Sequence, residues 1–166
     1  VGTQSNTVFT VQPQISINDA LANRVLLNTS TVTVAITSGT GGQLIGTTTA
    51  TAVRGLATFS GLGIRGVAGT TYTLTYSSGA LTVATQQITV TPGEAVALAF
   101  RAGSATVASG TALATPLQVA AVDGDGNTVT NYGSAVALSI GAGATFTGTT
   151  VRTRSEEHTS ELQSHV

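Results

Sequence analysis

The sequence predicts an all-β chain: an antiparallel β-sandwich with one near-complete repeat followed by a truncated second one. Three observations carry that expectation. The 166 residues are rich in Thr, Ala, Gly and Val, with 41% hydrophobic, 8% charged and 4% aromatic residues. Thr and Val suit pleated, half-buried strands. Of the residues that favour helices, Lys and Met are absent and Glu is rare. Short runs of period-two alternation are separated by Gly-rich turns, the spacing of a sandwich and not of a fold with helices.

In the first repeat, Ile15 and Ile17 face one way, and Val32, Val34 and Ile36 do the same on a second run. Tyr72, Leu74 and Tyr76 alternate with Thr71, Thr73 and Thr75. Leu81-Thr-Val83 changes phase before Ile88-Thr-Val90, which predicts a bulge or bend near Ala84–Gln87. Turns are marked by Gly39-Thr-Gly41-Gly42, Arg54-Gly55, Gly61, Gly63, Gly66, Gly69 and Ser78-Gly79. Residues 5–92 are expected to form seven or eight antiparallel strands, with Ile17, Val34, Ile36, Tyr72, Leu74 and Val83 buried between the sheets. Tyr72 is expected to form a tyrosine corner, its hydroxyl closing a backbone turn upstream.

A gapless offset of 104 residues aligns the chain with itself. Asp19-Ala-Leu-Ala-Asn23-Arg-Val25 meets Asp123-Gly-Asp-Gly-Asn127-Thr-Val129, and Val32-Thr-Val34-Ala-Ile36 meets Val136-Ala-Leu138-Ser-Ile140. Ser5 and Thr7 meet Ser109 and Thr111, and Gly46-Thr-Thr pairs with Gly148-Thr-Thr after a shift of two. In each loop, Asp and Asn suit a tight turn with side-chain caps on backbone N–H groups and a left-handed residue between them. Pro92-Gly93 marks the boundary, so residues 1–92 are expected as the first domain and 93–153 as the truncated second. Val96, Leu98, Phe100, Val119 and Leu138 are its expected core, open on one side because counterparts of Leu56–Phe59, Tyr72–Tyr76 and Leu81–Val90 are missing. The strand at Val136–Ile140 is expected to lose both neighbours.

From Arg154 the composition changes. Residues 154–166 hold three of the seven acids and both His. Arg154-Ser-Glu-Glu-His-Thr-Ser-Glu-Leu-Gln-Ser-His165 resembles an in-frame translation of a common sequencing adapter, so 154–166 is expected to be a non-native tail that packs on nothing in particular. With no Met and no leader-like segment at Val1, both ends are expected to be cuts in a longer chain.

The residues themselves resemble a family, the bacterial Ig-like repeats of the invasin/intimin type. Their pattern is a strand ending in D-x-x-G-N-x-V, an alternating strand, then G-T-L-x-G-T-T, G-x-A-T-F and A-G-x-Y-x-L. The matching residues are Asp19…Asn23-Arg-Val25, Gln43-Leu44-Ile45-Gly46-Thr47-Thr48, Arg54-Gly55-Leu56-Ala57-Thr58-Phe59 and Ala68-Gly69-Thr70-Thr71-Tyr72. Ala22 departs from the pattern's Gly, whereas Gly126 keeps it. The resemblance implies an immunoglobulin-like sandwich, a bacterial cell-surface or extracellular location, and adjacent Ig-like repeats of the same chain as partners.

Chemistry is sparse. Residues 1–153 contain no His, Cys or Lys, and their only acids are Asp19, Glu94, Asp123 and Asp125. Acid–base or nucleophilic catalysis needs groups of those kinds, so no catalytic, cofactor-binding or metal residue is assigned and no enzyme is expected. A net charge of -1 without Lys argues against nucleic acid, and no apolar run reaches membrane-spanning length. Asp123-Gly-Asp125-Gly-Asn127 resembles a Ca²⁺ loop only in part, because an EF-hand places Gly sixth and Glu twelfth, where this chain has Thr128 and Ser134. A turn role and a weak interdomain calcium site both stay open. The Thr-x-Thr rows are read as ordinary outward strand residues, and Asn28-Thr29-Ser30 as a chance glycosylation match. The expected function is a stalk or spacer segment of a large exported repeat protein of adhesin type. The alternative is direct binding of a cell-surface protein or glycan through loops at one end.

Overall fold

The computed structural model describes residues 2–103, 106–143, 145, 147–148, 150–152, 161–162 and 164–165. The chain divides into two compact units, Val1–Gly93 and Glu94–Val166, and the described residues are all strand, turn or irregular, with no helix.

The first unit contains ten short strands. They are β1 (Gly2–Gln4), β2 (Thr7–Val8), β3 (Gln14–Ser16), β4 (Thr31–Ser38), β5 (Gln43–Ile45), β6 (Thr49–Thr51), β7 (Leu56–Thr58), β8 (Gly63–Arg65), β9 (Thr71–Ser77) and β10 (Ala84–Thr91). One layer is a sheet in the order β1-β10-β9-β4-β6; the other consists of the sheets β2-β8-β5 and β3-β7. The long strands form where the alternation is cleanest. In β4, Val32 and Val34 are buried between exposed Thr31, Thr33 and Ala35. In β9, Tyr72, Leu74 and Tyr76 are buried.

Both layers feed one core, with Val32, Val34, Leu74, Ile88 and Val90 from the first and Phe9, Ile17, Phe59, Leu62 and Ile64 from the second. Phe59 meets Tyr76 edge-on across it, ring centroids 5.5 Å apart. Such pairs add about 0.5–1.5 kcal/mol beyond area burial. Ile36 is half-buried against this cluster. The β6–β7 connection turns at Arg54 (φ 52°) and Gly55 (φ 72°), the two left-handed residues that a tight hairpin requires. A Cβ on Gly55 would lie 2.4 Å from the Val25 carbonyl oxygen.

Three sequence expectations need correction. Val83 is 50% exposed and Leu81 47%, because the change of phase is absorbed in the turn before β10, where the Leu81 N–H meets the Ser78 carbonyl. The bulge expected at Ala84–Gln87 is absent, since β10 pairs with β9 in unbroken register from Ala84↔Tyr76 to Thr89↔Thr71. An irregularity falls in β4 instead, between Ile36 and Ser38. The sheet is also not purely antiparallel, as β1 runs parallel to β10 from Gly2↔Thr89 to Gln4↔Thr91.

The second unit contains β11 (Ala97–Ala102), β12 (Leu117–Val122), β13 (Val136–Ala137), β14 (Thr147–Gly148), β15 (Val151–Arg152), β16 (Glu161–Leu162) and β17 (Ser164–His165). Ala121, Val122 and Val129 are buried there, but the residues expected as its core stay more open: Val96 is 70% exposed, Leu98 52% and Phe100 64%, while Val119 and Leu138 are half-buried. Among the described residues the strand at Val136 keeps one neighbour, contrary to expectation. Val136↔Arg152 and Ala137↔Val151 pair β13 with β15, reproducing Val32↔Ala50 and Thr33↔Thr49 of the first unit. The tail also pairs where no packing was expected, with Leu117↔Leu162 on β12 and Thr147↔His165 on β14. In the first unit the corresponding edge, that of β3, is covered by β7. With no β7 counterpart among the described residues of the second unit, that edge is available to an extended segment.

Candidate functional site

The Asp loops occur twice with one geometry. Asp19 Oδ1 accepts the N–H groups of Leu21 and Asn23, both at 2.9 Å, and its Oδ2 accepts from Asn23 Nδ2 at 3.2 Å. Asp123 Oδ1 accepts from Asp125 N and Asn127 N, both at 2.9 Å, and its Oδ2 from Asn127 Nδ2 at 3.0 Å. Backbone bonds repeat as well: Asp19 N to Asn23 O at 2.9 Å, and Asp123 N to Asn127 O at 3.0 Å. The left-handed position is Ala22 (φ 65°) in one loop and Gly126 (φ 83°) in the other, so Ala22 keeps the turn conformation without the glycine.

The donors around each carboxylate decide what the loop can do. Hydrogen bonding to an ionised carboxylate favours that form, and the Asn23 backbone and side-chain donors hold Asp19 below the usual carboxylate range. Both oxygens of Asp123 already face N–H donors, and the side chain is buried. Arg101 reaches this loop, donating to the Gly126 carbonyl and the Thr128 hydroxyl. In both loops the carboxylate that opens the turn accepts the loop's own N–H groups. The arrangement is a clasp holding a turn.

The remaining acids do not gather around these loops. Among the described residues no three His, Cys, Asp or Glu side chains come together as metal ligands would. Glu94 is exposed. His158 lies outside the described residues, and His165 is described only as the β17 residue opposite Thr147. Asn28 of the sequon is engaged in a local turn, its Oδ1 accepting the Ser30 N–H at 2.8 Å. The Thr rows face outward and bond to one another across strands, as in Thr71–Thr89 at 2.9 Å and Thr37–Thr75 at 2.7 Å.

Two structural devices had no clear signal in the sequence. Gln12 stands in for a strand residue: its Nε2 donates to the Phe9 and Leu62 carbonyls, and its Oε1 accepts the Leu62 N–H. Buried Ser5 bridges to Gly66, whose N–H it accepts at 2.9 Å. The match of Ser5 with Ser109 in the repeat was the only sign that this residue has a fixed place.

Comparison with known proteins adds no relative. No family model, curated protein or solved structure matches this chain. No helix among the described residues is long and apolar enough to cross a membrane.

Proposed function

We propose that this chain is a structural spacer, a tandem segment of immunoglobulin-like repeats from a bacterial exported or cell-surface protein. One observation carries the reading: the same clasped Asp loop recurs after 104 residues in a second unit of the same chain. Repetition of a unit without repetition of a reactive cluster is what a length-setting element needs. The invasin/intimin-type motif residues support the surface location, and the division between the units falls after Gly93. On this reading no catalysis takes place here, and the Asp, Asn and Tyr residues serve rigidity.

The test is to place one, two and four tandem copies of the chain between a bead and a biotin tip. Capture distance on a streptavidin surface should increase with copy number, and tipless arrays should retain neither cells nor glycan-coated beads. Saturable retention by the tipless array would overturn the spacer reading in favour of direct binding through loops.

A further inference from the structure

Asn28-Thr29-Ser30 is the chain's only Asn-x-Ser/Thr triplet, and the fold sets it on the loop before β4. Asn28 is half-buried, while Thr29 and Ser30 are exposed. Asn28 Oδ1 accepts the Ser30 N–H at 2.8 Å, which turns that oxygen onto the backbone. Nδ2, across the same planar amide, has no hydrogen-bond partner among the described residues. The Ser30 hydroxyl, the third feature of an acceptor triplet, lies on the exposed side of the same turn.

The surroundings of this amide are apolar. Leu26 is exposed, and Leu27, next to Asn28 in the chain, is 93% exposed. Gly55 N donates to Asn28 O at 3.0 Å and Ala52 N to Ser30 O at 2.9 Å, which lays the loop alongside the β6–β7 connection. Val53, between those two donors, is 71% exposed. This surface adjoins β6 and β7, whose pairings with β4 and β3 are made within the unit. Single exposed aliphatic residues are ordinary, but a group of them marks a surface that something covers.

The second unit points to what the cover is. By the repeat offset, Leu26, Leu27 and Asn28 correspond to Thr130, Asn131 and Tyr132. The clasped Asp loop just before them has one geometry in both units, so the fold accepts polar residues at the first two positions. The apolar pair and the acceptor occur together in one copy and are missing together from the other. The fold does not require Leu26 and Leu27 to be apolar, whereas a group carried on residue 28 draws on them by packing over them.

We propose that Asn28 is an N-glycosylation site whose glycan covers Leu27 and Val53. The co-substrate class is a nucleoside-diphosphate sugar, delivered by a glycosyltransferase. Nδ2 bonds to C1 of the sugar, the C1–O bond to the diphosphate breaks, and the nucleoside diphosphate leaves with that electron pair. The transferase takes the proton that Nδ2 gives up. A glycan is bulky and solubilising; its C–H faces lie on the aliphatic side chains while its hydroxyls face water. The site is independent of the spacer reading, since a glycan on one loop suits a spacer and a binding module alike.

The test incubates the folded full chain with UDP-glucose and a soluble N-glycosyltransferase, then cleaves it after arginine. The fragment of residues 25–54 contains Asn28 as its only Asn and should gain the mass of one hexose. Asn28→Gln should gain none, and Ser30→Ala should gain many-fold less. The chain has no Cys, so the cover is read by thiol labelling. Glycosylation should slow the reaction of Val53→Cys with a bulky maleimide several-fold. That of Thr40→Cys, beyond the other end of β4, should keep its rate. Absence of hexose from the folded chain, where a free peptide of residues 24–34 accepts it, would overturn the site. Glycosylation that leaves Val53→Cys labelling as fast as before would overturn the cover.

Discussion

The Tyr72 hydroxyl donates to the Thr40 carbonyl oxygen at 2.9 Å while accepting the Val67 N–H at 2.9 Å. One phenol thus ties the loop after β4 to the loop before β9, closing the corner that the sequence placed at this tyrosine. The ring is fully buried, and glycines press against it. A Cβ on Gly42 would lie 2.4 Å from Tyr72 Cε1, and one on Gly66 would lie 2.6 Å from the hydroxyl oxygen.

Tyr72→Phe should keep the packing and lose both hydrogen bonds, costing about 1–3 kcal/mol because Val67 N–H and Thr40 C=O lose their partner. Gly42→Ala should cost about 1–3 kcal/mol by overpacking. In a Tyr72→Leu background, Gly42→Ala should cost distinctly less, since the atoms it strikes are gone. Urea midpoints of the four chains check this; additive losses would mean that Gly42 serves backbone conformation and not the ring.

Asp19 makes the first unit acid-sensitive. Its folded pKa lies below the 3.8 of an unperturbed aspartate, so the unfolded chain takes up the proton first as pH falls. The stabilisation is complete above that value and is lost as pH drops through the folded pKa. Asp19→Asn, which keeps an oxygen to accept the Leu21 and Asn23 N–H groups, should flatten the acid limb of a thermal-midpoint profile. An acid limb unchanged by the substitution would assign it to other carboxylates.

Tyr76 acts at the other extreme of pH. Burial pushes its phenol up to about 12, and its hydroxyl donates to Gln86 Oε1 at 2.9 Å. The unfolded chain loses this proton near pH 10, before the folded one does, so stability is full below about pH 10 and falls between about pH 10 and 12. The loss integrates to on the order of 2 kcal/mol. Spectrophotometric titration at 295 nm should show Tyr76 as the late phase, and Tyr76→Phe should remove it.

Amide exchange should separate the two units. In the first, β4 lies between β9 and β6, and Val32 and Val34 are buried in a closed core. Among the described residues the counterpart β13 has two residues and one neighbour, β15. Amides of Val32–Ile36 should be strongly protected and those of Val136–Ile140 should exchange rapidly. Deleting residues 154–166 should leave the thermal midpoint of the first unit unchanged. Equal protection of the two segments in a monomeric sample would show that the second unit is stable without the missing strands.

Strand direction and loop chemistry were legible in the sequence because both are local. Side chains alternate along a strand whatever it pairs with, so Val32, Val34, Tyr72 and Leu74 could be assigned inward from their own neighbours. The Asp19 and Asp123 clasps close within five residues, and the 104-residue repeat made each loop a check on the other. Where local phase met a turn, the reading failed: Val83 shares its run's pattern but lies before the strand that buries Ile88 and Val90. What required the tertiary structure was every relation between distant segments. Gly42 and Gly66 read as turn punctuation, yet the Tyr72 ring is what denies them a Cβ. The parallel β1–β10 pair and the Gln12 clasp likewise depend on which backbones approach one another, and one-residue alternation carries no information about that choice of partner.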